Sequence, residues 1–237
     1  MLTLARSRNH FLSSLSGEDS ALFARHLRPM ELPMGAALFS AAETISRIYF
    51  PESGVVSIVV ELGSGQFIKV AMFGRNSVIG VGALLDGPTA IHHAIAQVSG
   101  AGLVGDAAAL EHLVKQSESL REALAGYQQI MVAQIQQVAA CNAVHTIEER
   151  LSRWLLQTRD LLHSDHLPLT QQALSQILAV QRSSVTPLAR SLREAGLISY
   201  RRGRIHIVDR DGLSEICCEC YAAINAHYHR LTGWKPH

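Results

Sequence analysis

The residues able to do chemistry in this 237-residue chain collect in a few places, and the densest of these is basic. Seven arginines (Arg182, Arg190, Arg193, Arg201, Arg202, Arg204 and Arg210) stand between positions 182 and 210 against only Glu194 and Asp209. The planar fork of arginine suits phosphate oxygens and the guanine edge. A concentrated basic segment in a chain whose total charge is only +1 points to a nucleic-acid site rather than to a diffuse polycation. Through His145 the chain carries nine basic and eleven acidic residues, and beyond it twelve and nine. A second group is Cys217-Cys218-Glu219-Cys220 with His227 and His229. It invites a zinc reading, but its spacing is not that of common structural sites. On a terminal helix Cys217, Cys220 and Ile224 would share one face as core, so no metal and no cofactor is expected. His163-Ser164-Asp165-His166 reads as a solvated loop, not as a catalytic cluster. Adjacent His92 and His93 do not supply the histidine spacing of a metal-dependent jelly-roll enzyme, and Gly80-Val81-Gly82 lacks the third glycine of a dinucleotide loop. No nucleophile motif is present, and the chain is not expected to be an enzyme.

The elements that must position the basic segment are legible. Thr170 is a natural N-cap for a helix from Gln171 to Leu178. Ala179-Val180-Gln181 forms a short turn, and a second helix runs from Arg182 to about Glu194, stopped by Gly196. Leu174, Leu178, Val180, Val185 and Leu188 supply the apolar contacts across such a turn. Residues 197–200, the basic tip 201–204 and residues 205–208 then read as a β-hairpin. Together these predict a winged helix-turn-helix.

Upstream, Ser16 begins a short helix expected to end at Pro29. Short apolar runs at 47–50, 55–60, 67–73 and 91–98 alternate with turn residues, the pattern of an antiparallel sandwich or barrel. Asp106 caps a helix over 107–113. From Glu118 a much longer helix carries Leu120, Leu124, Tyr127, Met131, Gln134, Val138, Cys141 and His145 at alternating four- and three-residue steps. That heptad seam is expected to pair two copies of the chain, although one helix packed on its own domain would also use such a stripe. A further helix spans 148–162. The predicted class is α+β: a β jelly-roll domain (1–117), a dimerisation helix (118–146) and a winged helix-turn-helix domain (147–237). No apolar run approaches the length needed to span a bilayer. The start of the sequence has no signal-peptide pattern, and the four cysteines do not form a disulfide framework, so a cytoplasmic location is expected.

The sequence resembles the Crp/Fnr family of bacterial transcription regulators over nearly its whole length. The resemblance rests on residues 48–57, 80–87, 141–151 and 170–209, of which the last two are the most specific. It implies a sensor of the cyclic-nucleotide-binding type, a homodimer on a near-palindromic DNA site, and RNA polymerase as a partner. It also implies that Arg182, Ser183 and Thr186 face base edges, and that Ser184, Arg190 and the wing residues Arg201, Arg202 and Arg204 contact phosphate. Thr170 and Gln171 are placed beside the DNA as well. Two residues depart from the family pattern. Ala179 stands where glycine is frequent, and Pro187 stands inside the recognition helix where relatives place a base-reading arginine.

The cyclic AMP cassette of the family uses a glutamate after a glycine and an arginine before Ser-Ala. Here those positions hold Val81 after Gly80, and His92-His93-Ala94. Valine accepts no hydrogen bond and neutral histidine is a poor substitute for a guanidinium. Cyclic AMP bound in the usual manner is therefore not expected. Val81, Gly82, His92 and His93 are the candidate effector-pocket residues, with at most one histidine entering because strand neighbours face opposite ways. The iron–sulfur branch of the family uses N-terminal cysteines, and no cysteine precedes Cys141 here. The competing reading is a small-molecule or metal-binding jelly roll whose helix-turn-helix serves protein interaction.

Overall fold

A computed structural model describes residues 3–234 other than Asp86, Thr170, Ala179 and Arg202, with the side chains of Gln171, Gln172 and Arg182 left aside. Helices α1 (His10–Ser14) and α2 (Gly17–Ala24) come first. Ser16 caps α2 by accepting the Asp19 N–H, but the helix ends at Ala24 and Pro29 lies inside the next strand. A proline there is tolerated because that strand is at a sheet edge, where one N–H needs no ladder partner.

Antiparallel strands follow: β1 (Leu27–Leu32), β2 (Ala37–Phe39), β3 (Arg47–Pro51), β4 (Val55–Glu61), β5 (Phe67–Phe73), β6 (His93–Val98) and β7 (Gly100–Asp106). They form sheets in the orders β1-β7-β3 and β2-β6-β4-β5, whose inner faces share one core. β7 depends on glycine. A Cβ on Gly100 would sit 2.2 Å from the Ser53 carbonyl oxygen, so no other residue lets these backbones approach.

Helix α3 (Ala107–Gln116) is capped by Asp106, whose carboxylate accepts the Ala109 N–H at 2.9 Å. Helix α4 (Glu118–Val144) is capped by Ser117 and its 27 residues make it about 40 Å long. The stripe Leu120, Leu124, Tyr127, Met131, Gln134, Val138 and Cys141 is buried inside this one chain, against the β domain and the C-terminal helix. Side chains covered in this way within one chain leave little surface along this stripe for the expected pairing with a second copy. His145, the last of the series, is partly buried and faces Cys220 and Glu219.

α5 (Ile147–Leu162) begins at a reciprocal capping box between Thr146 and Glu149. Then come β8 (His166–Leu167), α6 (Gln171–Leu178), α7 (Arg182–Glu194), β9 (Ile198–Arg201), β10 (Arg204–Ile207), α8 (Arg210–Glu215) and α9 (Cys220–Thr232). Cys217 precedes α9, so it does not share a helix face with Cys220 and Ile224 as expected. α9 runs antiparallel to α4: Gln137 meets Cys220 at one end, and Gly126 lies under the Leu231 carbonyl at the other. Ile224, Tyr228 and Trp234 then join the core of the N-terminal domain, far in sequence from the helix-turn-helix that precedes them.

The helix-turn-helix domain docks on the outer face of β4 and β5. Val55, Met72 and Val98 belong to the same core as Leu151, Trp154 and Leu155 of α5. This second covering explains why Val55–Val59 are buried without alternation. Lys69 is caught in the joint, with its Nζ 4.8 Å from the Trp154 ring and 3.0 Å from Gln97 Oε1. Burial pushes its ammonium well below the usual lysine value.

Candidate nucleic-acid interface and effector cavity

The helix-turn-helix is built from the inside out. Leu174 and Leu178 of α6 pack against Val185, Ala189 and Leu192 of α7, and Val180 and Leu188 are partly buried beside them. Arg150 Nη2 donates to the Leu178 carbonyl at 2.9 Å, closing the end of α6. α7 ends in a paired C-cap: the Gly196 N–H donates to the Arg193 carbonyl and the Leu197 N–H to the Leu192 carbonyl, both at 3.0 Å. Gly196 sits at φ +77, a conformation that favours glycine.

With one face of α7 buried, its 3.6-residue period turns Ser183, Ser184, Thr186, Pro187, Arg190 and Arg193 to the exterior. Helix α7 continues through Pro187. Arg190 Nε lies 2.7 Å from Glu194 Oε1 in a surface pair worth about 0–1 kcal/mol, easily exchanged for a phosphate. The side chains of Arg182 and Gln171, and all of Thr170, Ala179 and Arg202, lie outside the described residues.

The wing follows at once. Arg201 and Arg204 are directly opposed across β9 and β10 and both are exposed, with Gly203 at φ +76 in the turn. Like charges opposed across strands repel, and a polyanion is the partner that turns this repulsion into attraction. β8 completes the sheet, and His166 stacks on His206 with ring centroids 4.2 Å apart.

A separate cavity of about 260 Å³ lies between the β domain and α4, lined by Phe39, Val81, His92, Gln128, Val132 and Ile135 among others. Val81, Gly82 and His92 are brought together there, as expected from sequence. His93 is not. It faces the other side of β6, with Nε2 3.5 Å from Glu61 Oε2 and its ring edge-on to Phe67. Among the described residues, none that lines the cavity is an arginine, lysine or carboxylate. Burial, with a smaller contribution from neighbouring His93, holds His92 below the ordinary histidine value, so it is neutral near pH 7. The buried Gln128 Oε1 has no hydrogen-bond partner among the described residues.

Gln128, Val132 and Ile135 were not among the sequence candidates. Their signal is a second stripe on α4, Ala125, Gln128, Val132, Ile135, Ala139 and Asn142, which also repeats in three- and four-residue steps. All six are exposed or half-buried.

Comparison with known proteins defines the class. The cyclic nucleotide-binding domain matches residues 29–117 and the Crp-like helix-turn-helix domain matches residues 149–216. The chain is thus a DNA-binding transcription regulator with an N-terminal domain of the cyclic-nucleotide-binding type. A global nitrogen regulator of Synechococcus elongatus is 26% identical over 219 residues, covering 85% of this chain and 98% of its own. FixK2 of Bradyrhizobium japonicum has the same fold, with a TM-score of 0.70 at 16% identity over 81% of this chain and 98% of that one. So does the c-di-GMP responsive global regulator CLP of Xanthomonas campestris, with a TM-score of 0.65 at 16% identity over 81% and 99%. The chain belongs to the Crp/Fnr family. No helix of the described residues is long and apolar enough to cross a membrane.

Proposed function

We propose that this regulator binds a near-palindromic DNA site as a homodimer and does so without cyclic AMP in the usual manner. The observation that carries the reading is the row of exposed hydroxyls and arginines along α7, followed in the chain by the exposed, directly opposed arginines of the wing. In this reading Arg182, Ser183 and Thr186 read base edges, and Thr170, Gln171, Ser184, Arg190, Arg201, Arg202 and Arg204 hold the backbone. The two copies meet through the second stripe of α4, centred on Val132 and Ile135. Exposed apolar residues at heptad spacing are what a parallel helix pair buries, and Val132 is 46% exposed in the single chain. RNA polymerase is the protein met at promoters.

The cavity's chemistry supports a ligand other than cyclic AMP. A cyclic phosphate moved from water into a lining without a cation loses its hydration and gains no ion pair. A small neutral molecule with a donor for Gln128 Oε1 fits better. Because Gln128, Val132 and Ile135 belong both to the cavity wall and to the proposed dimer stripe, occupancy and dimer geometry are linked.

The test is selection of genomic DNA fragments by purified protein without added ligand. Enrichment of a two-fold-symmetric motif, abolished in Arg182→Ala, is expected. Arg201→Ala and Arg204→Ala should weaken binding on all sequences and each lower the salt slope by about 0.9 for every phosphate left unneutralised. Enrichment of an asymmetric motif, or of a motif that Arg182→Ala still enriches equally, would overturn the reading.

A further inference from the structure

We propose that Cys141, His145, Cys218 and Cys220 bind one Zn²⁺ ion, which fastens the C-terminal helix to the joint between α4 and the DNA-binding domain. The four ligand atoms lie within 4.8 Å of one another, although Cys141 and Cys218 are 77 residues apart. The Sγ atoms of Cys141 and Cys218 are 3.6 Å apart, and Cys220 Sγ is 3.6 Å from His145 Nδ1. Tetrahedral zinc, with Zn–S near 2.3 Å and Zn–N near 2.05 Å, sets S···S at about 3.8 Å and S···N at about 3.5 Å. The side chains therefore stand close to coordinating distance before any ion draws them in.

The surroundings fit the same ion. With Nδ1 of His145 turned to the sulfurs, its Nε2 lies 3.1 Å from Glu219 Oε2, the carboxylate–histidine pairing that orients an imidazole on a metal. Gln137 Nε2 donates to Cys220 Sγ at 3.0 Å, a contact that favours thiolate over thiol. Three thiolates and a dication leave one negative charge. Arg153 is buried next to Cys141, and its Nε has no hydrogen-bond partner among the described residues. A guanidinium with an unmet donor is the group that would balance that charge.

Soft thiolates with one imidazole in a tetrahedral set select zinc over hard cations. A multi-iron cluster would spread its thiolates over several metal atoms, farther apart than found here. All four positions are filled by protein, which describes a structural ion and not a catalytic one. Cys217 stands apart, its Sγ donating to the Cys218 carbonyl.

Placement gives the ion a role. His145 is the C-cap of α4, and Thr146, the next residue, caps α5. The whole connection between the long helix and the DNA-binding domain is thus two residues, one of them a ligand. Zinc tied to Cys218 and Cys220 would hold that connection in one conformation, and its loss would free the DNA-binding domain to turn.

The test uses the full chain, reduced and freed of metal by a chelator, then titrated with Co²⁺ and displaced with Zn²⁺. Expected is one Co²⁺ per chain, with the intense visible bands and near-ultraviolet thiolate charge transfer of a tetrahedral site, both removed by one equivalent of Zn²⁺. Cys141→Ser and Cys220→Ser should abolish these bands and His145→Ala should alter them, while Cys217→Ser keeps them. Glu219→Gln should bind about 10–100-fold more weakly. The wild-type titration stands whether or not a variant folds. Absence of stoichiometric Co²⁺ binding by the folded, reduced chain would overturn the proposal. So would bands that survive Cys141→Ser, or protein isolated without air carrying iron and sulfide or a Cys141–Cys218 disulfide.

Discussion

Replacing Pro187 with alanine should stabilise the protein, and the size of the effect follows from the position of the residue. Pro187 is the sixth residue of α7 and is exposed, so its ring is not part of the core. It has no N–H to give the Ser183 carbonyl one turn earlier, and its ring crowds that oxygen. In a helix interior this costs about 3 kcal/mol relative to alanine. Here the start of the helix is already tightened, because the Ser184 N–H donates to the Gln181 carbonyl three residues back, and that eases part of the strain. A gain of about 1–3 kcal/mol is therefore expected for Pro187→Ala. At about 2–4 °C per kcal/mol for a chain of this size, Tm should rise by roughly 2–12 °C in calorimetry. DNA affinity should be measured on the same samples. A variant that is more stable but binds more weakly would show that the proline shapes the surface presented to DNA. A variant melting at or below the parent's temperature would refute the premise that Pro187 is a solvent-facing interruption of an otherwise intact helix.

Val132→Glu should give a monomer in light scattering at micromolar concentration where the parent gives the proposed homodimer; an unchanged mass would remove the second stripe of α4 from the interface. Trp234→Ala should cost about 3–5 kcal/mol in urea unfolding, because the indole is buried against Tyr228 in the N-terminal core. Burial raises Asp160 above its ordinary 3.8, against the opposing Tyr221 hydrogen bond and Arg159 charge. The native state then holds a proton that the unfolded chain releases, so this group adds stability as pH falls from the raised value towards 3.8 and withholds it above. Asp160→Asn should flatten the urea midpoint across that window. Lys69 is the reverse case for a cation: the unfolded chain binds the proton more readily, so stability climbs as pH rises towards 10.5, and Lys69→Met should abolish the climb.

The helix-turn-helix was legible almost to the residue, since α6 and α7 end where Leu178, Gly196 and the apolar spacing say they should. Strands β3 to β5 were legible for the same reason, being Val- and Ile-rich runs between turns. β7 was not: its residues 100–102 are Gly-Ala-Gly, chosen for backbone approach and giving no strand signal. The heptad of α4 announced a helix partner but could not say whether that partner lay in the same chain. An intramolecular helix and a second copy demand the same spacing, and α9 took the stronger stripe. The cysteine–histidine cluster escaped for a related reason, because its two halves are joined by folding and not by sequence proximity. Of the adjacent histidines only His92 lines the cavity, and it does so from the bend just before β6, which begins at His93.

The return of α9 also bears on how the protein is made. A chain leaving the ribosome folds its N-terminal domain first wherever that domain is self-sufficient. Here Tyr228 and Trp234, synthesised after the whole helix-turn-helix, fill a core begun by Phe11 and Phe23. Until they arrive, the nascent domain presents an open apolar seam along α4 for as long as the DNA-binding half takes to be translated. A frameshift or stop codon between the helix-turn-helix and α9 would thus leave that seam uncovered, and quality control would meet an unfinished first domain as well as the loss of α9.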